Sequence, residues 1–88
     1  IVKKIKKNRV TYCPHFLGGG IGLIASAHLL SASNDNGILE VDVNKNPLRS
    51  DIIDDMLKQD KGYLELSDKP GLGCEPNLKS INKYLVAH

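Results

Sequence analysis

The sequence lacks any apolar run near the roughly 20 residues that a bilayer-spanning helix needs. It also lacks a strong charge excess: 12 Lys and Arg stand against 10 Asp and Glu, for a net charge of +2. That balance argues against a dedicated nucleic-acid binder, which carries a marked basic excess. Cysteine is scarce, with only Cys13 and Cys74. Two thiols so far apart make neither a metal-ligand spacing nor a disulfide framework, so a reducing cytoplasm is the expected compartment. The basic start is not followed by an apolar core and a cleavage site, so no signal peptide is read. An initiator methionine is missing too, and the chain opens inside a basic, helical-looking run. The expectation is therefore a fragment, of otherwise ordinary soluble composition with 41% hydrophobic residues.

The rest of the chain is organised around Cys13-Pro14-His15-Phe16-Leu17-Gly18-Gly19-Gly20-Ile21-Gly22. This stretch joins a β-branched and aromatic run, Val10 to Cys13, to a long apolar run from Ile21 to Ala32. The first reads as a strand and the second as a helix reaching about Ser33. Pro14 removes a backbone donor and ends the strand, which places His15 just past the strand tip. In α/β proteins that end of a strand is where chemistry is usually built. His15 is also the side-chain type that titrates near neutral pH. The second strand-like segment, Ile38 to Val43, follows the turn Asn34 to Gly37 and carries Glu40 where an apolar residue is expected. Alternation sets Leu39 and Val41 on one face and Ile38, Glu40 and Asp42 on the other. An inward carboxylate there must be paired, hydrated or functional.

Strand, helix and strand make a βαβ unit whose strands run parallel. His15 and Glu40 then reach the same mouth of a barrel. Around this unit, Ile1 to Asn8 reads as the last turns of a helix with Asn8 as its cap and its lysines in water. Its Lys4-Ile5-Lys6 triplet precedes the wrong strand to be catalytic. His28, deep in the apolar helix, reads as structural. Asn44 to Pro47 breaks the second strand, and Ser50 can cap a short helix from Asp51 to about Leu57. Gly62 to Leu66 reads as a short strand, Asp68 to Gly73 as a rigid turn, and Asn77 to Ala87 as an amphipathic helix. The GxG in that turn lacks the dinucleotide pattern. Two parallel strands with open edges, and a helix apolar on most faces, cannot complete a domain alone.

The run PHFLGGGIGLIASAHLLSA, followed by GILEVDVNKNPLR and later DKPGLG, resembles the C-terminal part of the enolase superfamily. Within it the similarity is to the mandelate racemase and muconate-lactonizing group, in particular its acid-sugar dehydratase branch. It covers the chain from about Asn8 to Leu85, with the motifs in order.

The resemblance implies an α/β fold, a slice of a modified TIM (β/α)-barrel: strand 7, helix 7, strand 8 and a C-terminal extension returning to a capping domain. Residues 1–60 would belong to the barrel and 61–88 to the extension. It implies a Mg²⁺-dependent enzyme that removes the proton beside a carboxylate and passes through an enolate. His15 matches the general base after the seventh strand, able to return its proton as a general acid. Glu40 matches the eighth-strand acid that hydrogen-bonds the substrate carboxylate or enolate. That role requires a protonated Glu40, which burial away from cations favours. The metal ligands would lie on the third to fifth strands, outside this chain, as would the aspartate partner of His15, and the segment alone would be inactive. The implied partners are a small carboxylate substrate (an acid sugar or a 2-hydroxy acid), the rest of the barrel and cap, and further copies in a homo-oligomer, without nucleic acid or membrane. Dehydration of an acid sugar is the favoured reaction. The alternatives are a racemase or epimerase of the same superfamily, a truncated remnant, or an anion-binding module in which His15 is a bystander.

Overall fold

The computed structural model describes residues 1–34, 36–53 and 58–87. The first helix, α1 (Val2–Lys7), has the expected cap. Asn8 Nδ2 donates to the Lys4 carbonyl at 2.8 Å. The chain then turns through Arg9 at φ 55°, with Arg9 N–H donating to Lys6 O and Val10 N–H to Ile5 O, both at 3.1 Å. Those two bonds form a Schellman closure with an arginine where glycine is usual. The lysines are exposed, as expected.

The second helix, α2 (Gly20–Ser33), begins one residue before its expected start and ends at Asn34 in the left-handed region. Gly20, Leu23, Ile24 and Ala27 are buried, a single stripe at i, i+3, i+4 and i+7. Burial on most faces is not realised: Ile21 stays 40% exposed and Leu29 47% exposed. The buried stripe meets the segment around the third helix, α3 (Pro47–Ser50), and Ile53. The buried apolar core among the described residues is Leu23, Ile24, Ala27 and Ile53.

α3 corrects the sequence reading. Asn44 to Pro47 does break the strand, but Asn46 is also an N-cap, its Oδ1 accepting from Leu48 N–H at 3.0 Å with Pro47 as the first helical residue. This is the favoured cap-then-proline order. Ser50 lies at the end of that helix rather than at the start of another, and Asp51 follows it as the C-cap. The remainder of the helix expected to reach Leu57 lies outside the described residues.

The two expected strands of the βαβ unit also need correction. Residues 10–13 and 38–43 form no ladder, and a single parallel bridge joins His15 to Glu40. Among the described residues neither stretch pairs with a further strand, and Pro14 offers no N–H to continue the pairing. The parallel sense is as expected. Gly37 is needed here, since a Cβ on it would run into the backbone carbonyl of Tyr12.

The only ladder among the described residues is a hairpin of β1 (Gln59–Asp60) and β2 (Tyr63–Leu64), antiparallel, with Asp60 opposite Tyr63. Its loop residues Lys61 and Gly62 both have positive φ, 48° and 82°, the geometry of a type I′ turn. The strand expected from Gly62 thus starts one residue later and pairs back on residues just before it. The turn over 68–73 is present, closed by Gly73 N–H to Pro70 O at 3.3 Å. A last short helix, α4 (Leu78–Asn82), is capped by Asn77 Oδ1, which accepts from Ser80 N–H at 2.9 Å. It stops well short of Ala87, and Leu78 and Leu85 remain 70% and 77% exposed. Among the described residues these apolar side chains find no surface to drive a longer amphipathic helix. The C-terminal segment joins the rest through an antiparallel bridge of Ile53 and Pro76 and through Asn77 N–H to Ile52 O at 2.6 Å.

Candidate active site

The site is built from two arms of backbone, residues 13–19 and 37–46. Glu40 N–H donates to the Pro14 carbonyl at 3.0 Å, and Ile38 N–H points at Cys13 Sγ at 3.5 Å. Pro14 is buried between them. His15 and Glu40 are bridge partners, so their Cα atoms lie side by side at the usual strand spacing of about 4.8 Å and their side chains leave the pair on one face. His15 is therefore level with Glu40, not beyond a strand tip. Both side chains are exposed. The Phe16 ring lies across Gly18 and Gly22, where a Cβ would collide with it.

Behind Glu40 the second arm is stiffened by its own polar groups. Asn44 donates to Asp42 Oδ1 from its backbone N–H at 3.1 Å and from Nδ2 at 2.9 Å. Arg49 Nη2 donates to the Asn44 carbonyl. Arg49 Nη1 stands 3.9 Å from Asp42 Oδ2 in a loose ion pair, and both side chains are mostly buried. Asn46 Nδ2 then crosses to the first arm, donating to Gly18 O at 3.3 Å with Leu17 O at 3.5 Å. Asp42, Asn46 and Arg49 were not singled out by the sequence reading, though an Asn-Pro pair after a strand-like run is the signal that marks the cap.

The other candidates fall outside this site. His28 Nε2 donates to the Leu72 carbonyl at 3.1 Å, which fixes the Nε2–H tautomer and pins the 68–73 turn to α2, the structural role expected. Cys13 and Cys74 are free thiols. Asp51 and Lys83 pair at 3.0 Å near the end of α3. The hydrogen bond from Lys83, helped by Ser50, holds the Asp51 carboxyl below its ordinary value, and the same bond raises Lys83. Among the described residues no three His, Cys, Asp or Glu come together as a metal site. No helix among them is long and apolar enough to cross a membrane.

The sequence profile of the family described as enolase C-terminal domain-like matches residues 1–80. The chain belongs to that family. That family is an α/β one of the TIM-barrel type, within the enolase superfamily. It is similar to the arabinonate dehydratase of Saccharolobus solfataricus, 42% identical over 60 residues. The match covers 68% of this chain and 16% of that protein, so the chain spans about a sixth of its length. No solved structure matches it.

Proposed function

We propose that this segment supplies the proton-transfer face of an acid-sugar dehydratase whose barrel is completed by residues outside it. The observation that carries the reading is the register of His15 with Glu40 on adjacent parallel arms. That register offers a base and a hydrogen-bonding acid to one substrate carbon and its neighbouring carboxylate. Residues 1–60 would be the stretch from strand 7 through helix 7 and strand 8, and 61–88 the extension toward the cap. The exposed Ile21, Leu29, Ile38 and Val43 suit a surface covered by the rest of that barrel.

In this reading His15 takes the proton from the carbon beside the substrate carboxylate. The electron pair of that C–H bond moves onto the carboxylate as an enolate, and Glu40 donates a hydrogen bond to the charge that develops there. The C–O bond of the neighbouring hydroxyl then breaks as the enolate collapses. His15 hands its proton to the departing oxygen, which leaves as water. Glu40 is exposed in this segment, so its surroundings in the complete site would come from the rest of the barrel. The superfamily's Mg²⁺ does not fit the donors present here, because the described residues bring no three ligands together, and its site would lie on other strands. The whole enzyme would work in the cytoplasm as a homo-oligomer. The dehydratase activity of the Saccharolobus relative favours loss of water over racemisation.

The deciding experiment is His15→Asn in the full-length protein, with solvent exchange of the α-proton followed by NMR. Loss of exchange with substrate still bound supports the reading. Unchanged turnover would remove His15 from the mechanism.

A further inference from the structure

Sheet pairing holds the two arms weakly. One bridge joins them, with Ile38 N–H to Cys13 Sγ at 3.5 Å beside it, and Pro14, with no N–H, cannot extend the pairing. A second connection lies behind the bridge and runs through one side chain. Asn46 is half-buried, and its amide is used at both ends. Oδ1 accepts from Leu48 N–H at 3.0 Å, and Nδ2 donates to Gly18 O at 3.3 Å and reaches Leu17 O at 3.5 Å. An amide N–H is what faces a carbonyl and an amide oxygen is what faces an N–H, so its orientation follows from its partners. The helix that Asn46 starts is seated directly on the glycine turn. A Cβ on Gly20 would lie 2.6 Å from Arg49 O and one on Gly19 3.0 Å from Leu48 O. Between Glu40 and Asn46, the bonds of Asp42, Asn44 and Arg49 leave the arm little freedom.

We propose that Asn46 is the positioning residue of this site, the clamp that ties the loop behind Glu40 to the loop behind His15 and so sets the distance between base and acid. The proposal rests on the assignment of His15 and Glu40 to proton transfer. Bridge, stiffened arm and clamp form a closed ring of backbone and side chain: His15, Glu40, Asp42, Asn44, Asn46, Gly18 and back. Opening the ring at Asn46 leaves only the packing of α3 on the glycine turn to hold the far ends of the arms, which can then shear about the bridge. Displacement of about 1 Å between reacting groups is enough to lower a rate about 100-fold.

The chemistry of the clamp defines its test. Asn46→Asp keeps the acceptor for Leu48 N–H but replaces the Nδ2 donor by a carboxylate oxygen facing the Gly18 and Leu17 carbonyls. Asn46→Ser keeps a cap and is too short to reach across. In the full-length protein, both variants are expected to unfold within a few degrees of the parent. Their kcat and α-proton exchange rate are expected to fall together by about 10- to 100-fold, with KM changed less than about threefold. His15→Asn is run beside them. If His15→Asn abolishes exchange while both Asn46 variants keep kcat within about twofold of the parent, the clamp is refuted and the site stands. If His15→Asn leaves turnover intact, the site assignment fails and the clamp with it. Should Asn46→Asp not fold, the serine variant decides alone, because it keeps the cap: normal kcat in the folded protein overturns the clamp, and a reduced kcat with unchanged KM upholds it.

Discussion

Glu40 donates its backbone N–H to the carbonyl of Pro14, the residue just before His15. This bond puts the two candidate catalytic side chains level with each other on the same face. Neither residue is placed by its own side chain. Substitutions that spare the backbone should therefore change chemistry without moving the arms.

For Glu40 the expected order is then simple. Glu40→Gln keeps a neutral donor at the same reach and should lower kcat of the full-length enzyme about 10-fold. Glu40→Ala removes the donor and should cost about 10²- to 10³-fold, the usual loss for one hydrogen bond to a developing oxyanion. Steady-state kinetics on both variants checks the order, and equal losses would deny Glu40 a donor role.

Arg9 takes a left-handed conformation, φ 55°, to close α1. A side chain pays about 1–2 kcal/mol to sit there, and glycine pays for its freedom in the unfolded chain instead. Arg9→Gly is expected to stabilise the protein by about 0.5–1 kcal/mol, seen as a raised Tm in a thermal melt.

Gly20 begins α2 against the backbone of α3. Gly20→Ala places a methyl 2.6 Å from Arg49 O and within 3.2 Å of Ile53. Overpacking of this kind costs about 1–3 kcal/mol. A lowered Tm is expected, although alanine is otherwise the better helix residue.

The Lys83 ammonium and the Asp51 carboxylate carry a pH signature. Asp51 is lowered in the folded state, so its contribution is present above the ordinary carboxylate value of about 3.9 and is lost as pH falls through the lower folded value. Lys83 is raised, so its contribution is complete below about 10.4 and is lost as pH rises through the higher folded value. Across neutral pH the pair should be insensitive to pH but weakened by salt, since both groups are solvent-exposed partners. Hydrogen exchange of the 81–85 amides, measured at low and high NaCl, should show faster exchange at high salt in the parent and no salt response in Lys83→Met.

Much of this molecule could be read before folding. α1 with its Asn8 cap, α2 to within a residue, the 68–73 turn and the parallel sense of the segments carrying His15 and Glu40 were all visible in residue type and spacing. The register was not, because one bridge leaves no period to count, and so His15 was expected beyond the strand. The hairpin escaped because its first loop residue is Lys61, and a lysine at positive φ announces nothing locally. Asn46 was read only as a breaker, since Asn-Pro ends a strand and starts a helix with equal ease. Its link to Gly18 is a long-range contact that no local pattern encodes.

Gly37 packs against Tyr12, and only Ile38 and Leu39 separate it from Glu40. Side chains alternate along an extended segment, so inserting or deleting one residue between Gly37 and Glu40 would turn the carboxylate to the opposite side from His15 while leaving composition almost unchanged. The same edit in the Lys61-Gly62 loop would only lengthen or shorten a hairpin tip. Length is therefore a functional coordinate of this chain in one place and a neutral one in the other, and a homologue with a gap after Gly37 should be expected to run different chemistry, however similar its residues.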